Sequence, residues 1–145
     1  MIFVIRYLDN SLFIPDMRIS TKTYYGLRAM INLVRKEEVS PIADIAFEED
    51  IPFAFLEKIF QQLKRAGLVR SKKGSLGGYE LARSPKEITA GQVFEALGEE
   101  VISSFCPGDS SCSRLNSCGT KDFLSKLESS IGQTLDSMTL ERLAN

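Results

Sequence analysis

The stretch LVRSKKGSLGGYELA, residues 68–82, limits the possible folds of this chain more than any other. Leu68-Val69-Arg70 and Tyr79-Glu80-Leu81 have strand composition, and Gly74, Gly77 and Gly78 punctuate the residues between them. Such a pattern predicts a tight β-hairpin. It begins immediately after Gly67, which closes a strongly periodic helical segment, so the hairpin must be attached to the end of a helix.

Three helical segments precede it. Ser20–Arg35 places Tyr24, Leu27, Met30, Ile31 and Val34 at three- and four-residue spacing, with Ser20 or Thr21 as its N-cap. Ser40-Pro41 reads as a cap followed by proline at the first helical position, with Ile42, Ile45 and Ala46 as the apolar side of a short helix. Asp50 and Pro52 open a third, in which Phe55, Leu56, Ile59, Phe60 and Leu63 face inward. Three short helices running into a hairpin are the skeleton of a winged helix–turn–helix.

Downstream, Pro85 and the pair Thr89 and Gln92 start a fourth helix. A polar segment, CPGDSSCSRLNSC, separates it from a long helix carrying Phe123, Leu124, Leu127, Ile131, Leu135 and Met138, and Thr139 caps a final turn. That helix has no further core of its own to cover, so a second copy of the chain is its expected partner, with folding back on its own domain as the alternative. The predicted fold is therefore mainly α with a small β-hairpin. Residues 1–16 are a leader outside the fold, 17–98 a winged helix–turn–helix domain, 99–119 a cysteine loop and 120–145 a dimerisation helix with a C-terminal turn. No apolar run approaches the roughly 18 residues that a membrane span needs, and the leader lacks the features of a signal peptide. The cytoplasm is the expected compartment.

A formal net charge of −1 conceals an asymmetry. Residues 17–83 hold twelve Lys and Arg against eight Asp and Glu, whereas residues 84–145 hold five against nine. The densest basic run, KRAGLVRSKK, spans the end of the third helix and the hairpin, where a nucleic-acid face would lie. Ala54, Glu57, Lys58, Gln61, Gln62, Lys64 and Arg65 make up the solvent side of that helix. In a major groove Glu57 can accept from cytosine N4 and a lysine such as Lys58 can donate to guanine, while Lys58, Lys64 and Arg65 also suit phosphates. A helix-surface pairing with Gln61 explains Glu57 equally well. Lys72, Lys73 and Gly74 at the hairpin tip suit the minor groove, whose negative potential draws basic side chains. Double-stranded DNA is thus the expected partner.

Enzyme chemistry is poorly served: the chain has no histidine and no phosphate-binding or dinucleotide fingerprint. Its three cysteines, Cys106, Cys112 and Cys118, stand five residues apart in polar surroundings, although unpaired cysteine is normally a small buried hydrophobe. A buried structural set, a thiol switch, and a soft-metal or iron–sulfur site all remain open, and the polar neighbours favour the last. A metal-storage or cluster-carrier module would need the cysteines but not the hairpin.

MRISTKTYYGLRAM, LEKIFQQLKRAGLVRSKKGSLGGYELAR, ITAGQVFEAL and the C-x5-C-x5-C spacing together resemble the IscR-like iron–sulfur cluster regulators, a winged helix–turn–helix family. The resemblance implies a homodimer on palindromic promoter DNA, with the third helix in the major groove and the wing in the minor groove. It puts Glu57 and Lys58 at base-reading positions and Lys73-Gly74 at the wing tip. It also implies an iron–sulfur cluster, [2Fe–2S] rather than [4Fe–4S], on Cys106, Cys112 and Cys118. The target genes it implies serve cluster assembly, nitric-oxide or redox stress, or cysteine metabolism, and repression is the expected mode. Two positions depart from the pattern. Lys121 stands where the family's [2Fe–2S] histidine would be, and Tyr24 where [4Fe–4S] members place an acid. Asp109, Asp122, Glu80, the Thr120 hydroxyl and an exogenous thiol are candidates for the missing ligand.

Overall fold

The computed structural model describes residues 19–99, 112–114 and 116–145. Ser20 starts the first helix, its hydroxyl accepting from the Thr23 N–H at 3.2 Å, and α1 runs over Thr21–Lys36. The inward face of α1 differs from the one its periodicity predicts. Thr23, Gly26, Ala29, Met30 and Leu33 are buried, whereas Tyr24 is 54% exposed and Leu27 and Val34 pack at the margin of the core. Close approach decides the choice: a Cβ at Gly26 would overlap the Leu97 side chain and lie 3.4 Å from Ile59 Cγ2. Only the small-residue face brings α1 near enough to exclude water from that contact.

Helix α2, Ile42–Glu48, starts one residue later than the sequence suggests. Pro41 is its cap and accepts through its carbonyl from Asp44 and Ile45 at 3.2 and 3.3 Å. The backbone of Ser40 is committed elsewhere, as described below. Helix α3, Phe53–Arg65, follows Pro52 and buries Leu56, Ile59, Phe60 and Leu63. Phe55, expected inside, is 37% exposed and meets Tyr25 edge-on with ring centroids 5.8 Å apart. The helix ends in a Schellman arrangement. Leu68 donates to the Leu63 carbonyl and Gly67 to that of Lys64, both at 3.0 Å, with Gly67 at φ 72°.

Strands β1, Val69–Lys72, and β2, Gly78–Leu81, pair antiparallel with Arg70 opposite Glu80 and Ser71 opposite Tyr79. On its other edge β2 exchanges two backbone hydrogen bonds with Ser40, at 2.9 and 2.8 Å between Ser40 and Tyr79. Gly78 permits this approach, because a Cβ there would run into the Ser40 carbonyl and stand 2.6 Å from the Pro41 nitrogen.

Helix α4, Ala90–Ala96, carries the expected capping box between Thr89 and Gln92. Helix α5, Lys121–Ser137, has no buried residue. Its C-terminal end is fastened by Ala90 N–H to the Met138 carbonyl and Leu140 N–H to that of Ile88, both at 2.8 Å. Helix α6, Leu140–Ala144, is capped by Thr139 and packs on α1 with Leu140 fully buried. Among the described residues no helix is long and apolar enough to cross a membrane. The leader 1–16, Cys106, Asp109 and most of the cysteine loop lie outside the described residues.

Candidate functional site

Helix α3 presents Ala54, Glu57, Lys58, Gln61, Lys64 and Arg65 to solvent, with Gln62 half-buried. Among the described residues no hydrogen bond or ion pair engages the side chains of Glu57, Lys58 or Arg65, so the pairing of Glu57 with Gln61 is not made. Lys64 turns toward the wing, its Nζ donating to Ser71 Oγ at 2.7 Å.

A polar clasp from α1 sets the turn that precedes α3. Arg28 Nε lies 3.1 Å from Glu49 Oε2, and the same guanidinium donates to the Glu49 carbonyl. Asn32 Nδ2 donates to Glu48 Oε2 and to Glu49 Oε1, each at 3.0 Å, and Lys36 pairs with Glu48 at 2.6 Å. The hydrogen bond from Lys36, then that from Asn32, hold the Glu48 carboxyl below its ordinary range. Sequence reasoning missed Arg28 and Asn32, since both read as the polar side of an ordinary amphipathic helix.

The wing is fastened from several directions. Glu80 accepts from Arg70 at 2.6 Å and faces Lys72 at 3.3 Å across the strands, and the Arg70 bond is the main reason its carboxyl titrates low. The Tyr79 ring meets Phe60 at a centroid distance of 4.8 Å, tying the hairpin to the buried side of α3. Gly74 sits at φ 118°, and a Cβ at Gly77 would stand 2.5 Å from the Lys72 carbonyl oxygen, so the tip tolerates only glycine at these two places. Lys72 and Lys73 are exposed there, and Lys73 makes no ion pair among the described residues. The residues named from the sequence as candidates for DNA contact therefore lie exposed on two elements that touch through Phe60 and Tyr79 and through Lys64 and Ser71.

The cysteines are described in part. Cys112 and Cys118 are unpaired, half-buried thiols; neither lies in an apolar pocket of the core. Cys118 Sγ is 3.1 Å from Thr120 Oγ1 at the start of α5. That hydroxyl, with the Thr120 and Lys121 N–H groups and the Arg114 charge, draws the thiol below its ordinary value against the effect of burial. Thiolate character suits ligation to a soft metal. Among the described residues no three of Cys, Asp and Glu converge on one point, Cys106 lying outside that set. Of the candidates for a further ligand, Glu80 is paired with Arg70 and Lys72; Tyr24, at the position that departs from the family's acid, has the Arg28 guanidinium 5.5 Å from its ring centroid. Thr120, Lys121 and Asp122 occupy the first turn of α5.

Glu99, just before the cysteine segment, is a residue no sequence signal marks. Its carboxylate accepts from the Ser20 N–H at 3.1 Å, from the Ser20 hydroxyl, and from the Thr23 hydroxyl at 2.6 Å. Burial pushes this carboxyl up, but the hydrogen bonds from Ser20 and Thr23 and the charge of Lys22 outweigh it, and the net displacement is downward. On α5, Phe123 is 65% and Leu127 39% exposed, one turn apart on the same face.

Residues 19–145 match the Rrf2 family model, described as an iron-dependent transcriptional regulator. The HTH-type transcriptional regulator IscR of Pectobacterium atrosepticum is 34% identical over 131 residues, which are 89% of this chain and 80% of the relative. The IscR of Aliivibrio salmonicida is 35% identical over 129 residues, 88% and 77% of the two chains. Among solved structures, T. potens IscR is 32% identical with a TM-score of 0.71, covering 88% of this chain and 86% of that one. CymR, described as the global cysteine regulator of B. subtilis, is 33% identical with a TM-score of 0.70, covering 88% and 95%. The oxidised form of Staphylococcus aureus CymR is 34% identical with a TM-score of 0.69, covering 89% and 97%.

Proposed function

Because this chain belongs to the Rrf2 family of transcriptional regulators, we propose that it binds palindromic promoter DNA as a homodimer under the control of an iron–sulfur cluster. Its relatives and fold are those of transcription regulators, not of enzymes. The observation that carries the proposal is the exposed row Glu57, Lys58 and Arg65, without side-chain partners among the described residues, on a helix locked to a basic wing. Residues 17–98 form the DNA-binding unit, 99–119 the cysteine loop and 120–145 the dimerisation segment of this cytoplasmic repressor. Glu57 and Lys58 read bases, with Ala54 small enough to let the helix N-terminus approach the groove floor. Arg65 holds a phosphate, and the wing tip with Lys72, Lys73 and Gly74 enters the minor groove.

Cys106, Cys112 and Cys118 would hold the cluster, [2Fe–2S] in preference to [4Fe–4S]. When bound, such a group supplies a centre responsive to redox state and iron supply. The chain's own part is positional. The Thr120 hydroxyl draws the Cys118 thiol below its ordinary value, and Glu99 links the start of the cysteine segment to the first turn of α1. Genes for cluster assembly or for redox and nitric-oxide stress are the targets that the family resemblance implies.

A second reading has specific support. Lys121 takes the place of a ligand, and the CymR structures are as similar as that of IscR. In that reading the cysteines act by thiol chemistry or through a protein partner, and the regulated genes concern cysteine metabolism. Anaerobic purification separates the two. The cluster reading expects coloured protein with stoichiometric iron and sulfide, and promoter affinity that changes when the metal is removed or Cys112 is replaced by Ala. Colourless, iron-free protein whose affinity responds to thiol oxidation would establish the second reading instead.

A further inference from the structure

We propose that Leu76 is a specificity-determining residue: an apolar probe at the wing tip that enters the minor groove and favours A·T over G·C pairs there. The proposal rests on the reading that the wing enters that groove. Leu76 is 91% exposed, yet it does not sit on a floppy loop. Gly77 N–H donates to the Gly74 carbonyl at 3.0 Å, closing the turn beneath it. The Gly77 Cα packs against the Lys72 and Gly74 carbonyls, leaving no room for a side chain. The backbone is thus folded under the tip, and the isobutyl group is the largest apolar side chain among tip residues 73–77.

What stands beneath it is rigid. Arg70 and Lys72 bracket Glu80, Lys64 holds Ser71, and Ser40 holds Tyr79. A side chain on so firm a support loses little further freedom when it is inserted. The flanking charges select the partner: Lys72 and Lys73 lie at the same tip with exposed side chains, so an approaching surface must be anionic as well as apolar at its centre. The minor groove has that character, with phosphates at its walls, negative potential between them, and sugar and base edges on its floor. Leucine is one of the residues that architectural proteins wedge into it. On that floor guanine adds an N2 amino donor, which a leucine cannot satisfy, whereas adenine and thymine do not. Leu76 therefore penalises G·C pairs where it lands.

A duplex library carrying a selected core half-site and randomised flanks tests this with wild-type, Leu76→Ser and Lys73→Ala proteins. The wild type should enrich A·T at the wing-facing positions. Leu76→Ser should lose that enrichment and bind the A·T duplex about five- to tenfold more weakly, the effect of exposing about half a leucine. Its salt slope should be unchanged, and its thermal melt too, since the side chain contributes no buried area. Lys73→Ala should make the slope shallower by about one unit. Unchanged flank preference in Leu76→Ser, or a uniform loss on all flanks, overturns the role of Leu76 while a shallower slope in Lys73→Ala upholds the wing. If Lys73→Ala also leaves the slope intact and the wild type shows no flank preference, the wing reading fails with it.

Discussion

Replacing Glu99 by Gln tests whether the start of the cysteine segment is held to α1 by charge. The carboxylate takes three hydrogen bonds, from the Ser20 N–H, the Ser20 hydroxyl and the Thr23 hydroxyl. A hydrogen bond to a charged group contributes about 1.5–3 kcal/mol, but glutamine keeps one carbonyl acceptor and both hydroxyls can turn. The net loss should be about 1–2 kcal/mol at neutral pH. The sign of its pH dependence follows from the lowered carboxyl. A group whose folded-state pKa is depressed stabilises fully above its unfolded value and loses that contribution as pH falls through the folded one. Parent and Glu99→Gln should therefore differ at pH ~7 and converge only once pH has fallen beneath the ordinary carboxylate range of about 4. Urea unfolding followed by far-UV circular dichroism at both pH values measures the gap. An equal gap at the two pH values would refute the argument, since a loss of packing is indifferent to protonation.

Leu127→Glu puts a charge on the exposed apolar face of α5, where no residue is buried within the chain. Light scattering should report a monomer with an unaltered helical signal; a persistent dimer would rule this face out. Glu57→Ala should relax preference at one base pair per half-site, worth about 1–3 kcal/mol of discrimination, without abolishing binding. Uniform loss of affinity on every duplex would point to folding instead. Gly78→Ala forces a methyl group into the Ser40 carbonyl and should cost about 2 kcal/mol or more, by separating the wing from α2. A thermal melt within a degree of the parent would show that the contact yields.

The order and type of the elements were legible because they depend on local chemistry. The capping box at Thr89, the stop at Gly67 and the glycines of the wing each act within a few residues. What was not legible depends on distant partners. Periodicity ranks faces by hydrophobicity, and so preferred Tyr24 over Gly26 on α1, but the decisive quantity was the room beside Leu97 and Ile59. Phe55 was assigned inward for the same reason, and Tyr25 supplies a surface contact that no window of sequence contains. Ser40 has the composition of a cap, yet the edge of β2, 39 residues later, claims its backbone. Of the candidate site, the exposed row on α3 and the basic tip were readable as composition. The clasps at Glu49 and Glu99 were not, since each joins residues whose spacing carries no signal.

Those clasps bear on how a signal could act. Helix α3 and the wing are joined through Phe60 and Tyr79 and through Lys64 and Ser71, and the backbone of Ser40 holds the wing's other edge. Deforming that block means breaking several contacts together, which a small change at the cysteines has little energy to do. The flanks of the cysteine segment are attached differently. On one side Glu99 grips the first turn of α1; on the other, Cys118 lies just before α5 and touches its capping residue Thr120, and the far end of α5 is fixed to α4 by Ala90 and Met138. In the proposed dimer α5 also meets the partner, so a change at the cysteines is felt first where the two copies join. The regulated quantity is then the separation and tilt of two stiff DNA-reading blocks. Half-site spacing should accordingly respond to the state of the cysteines, whereas the bases preferred within each half-site should not.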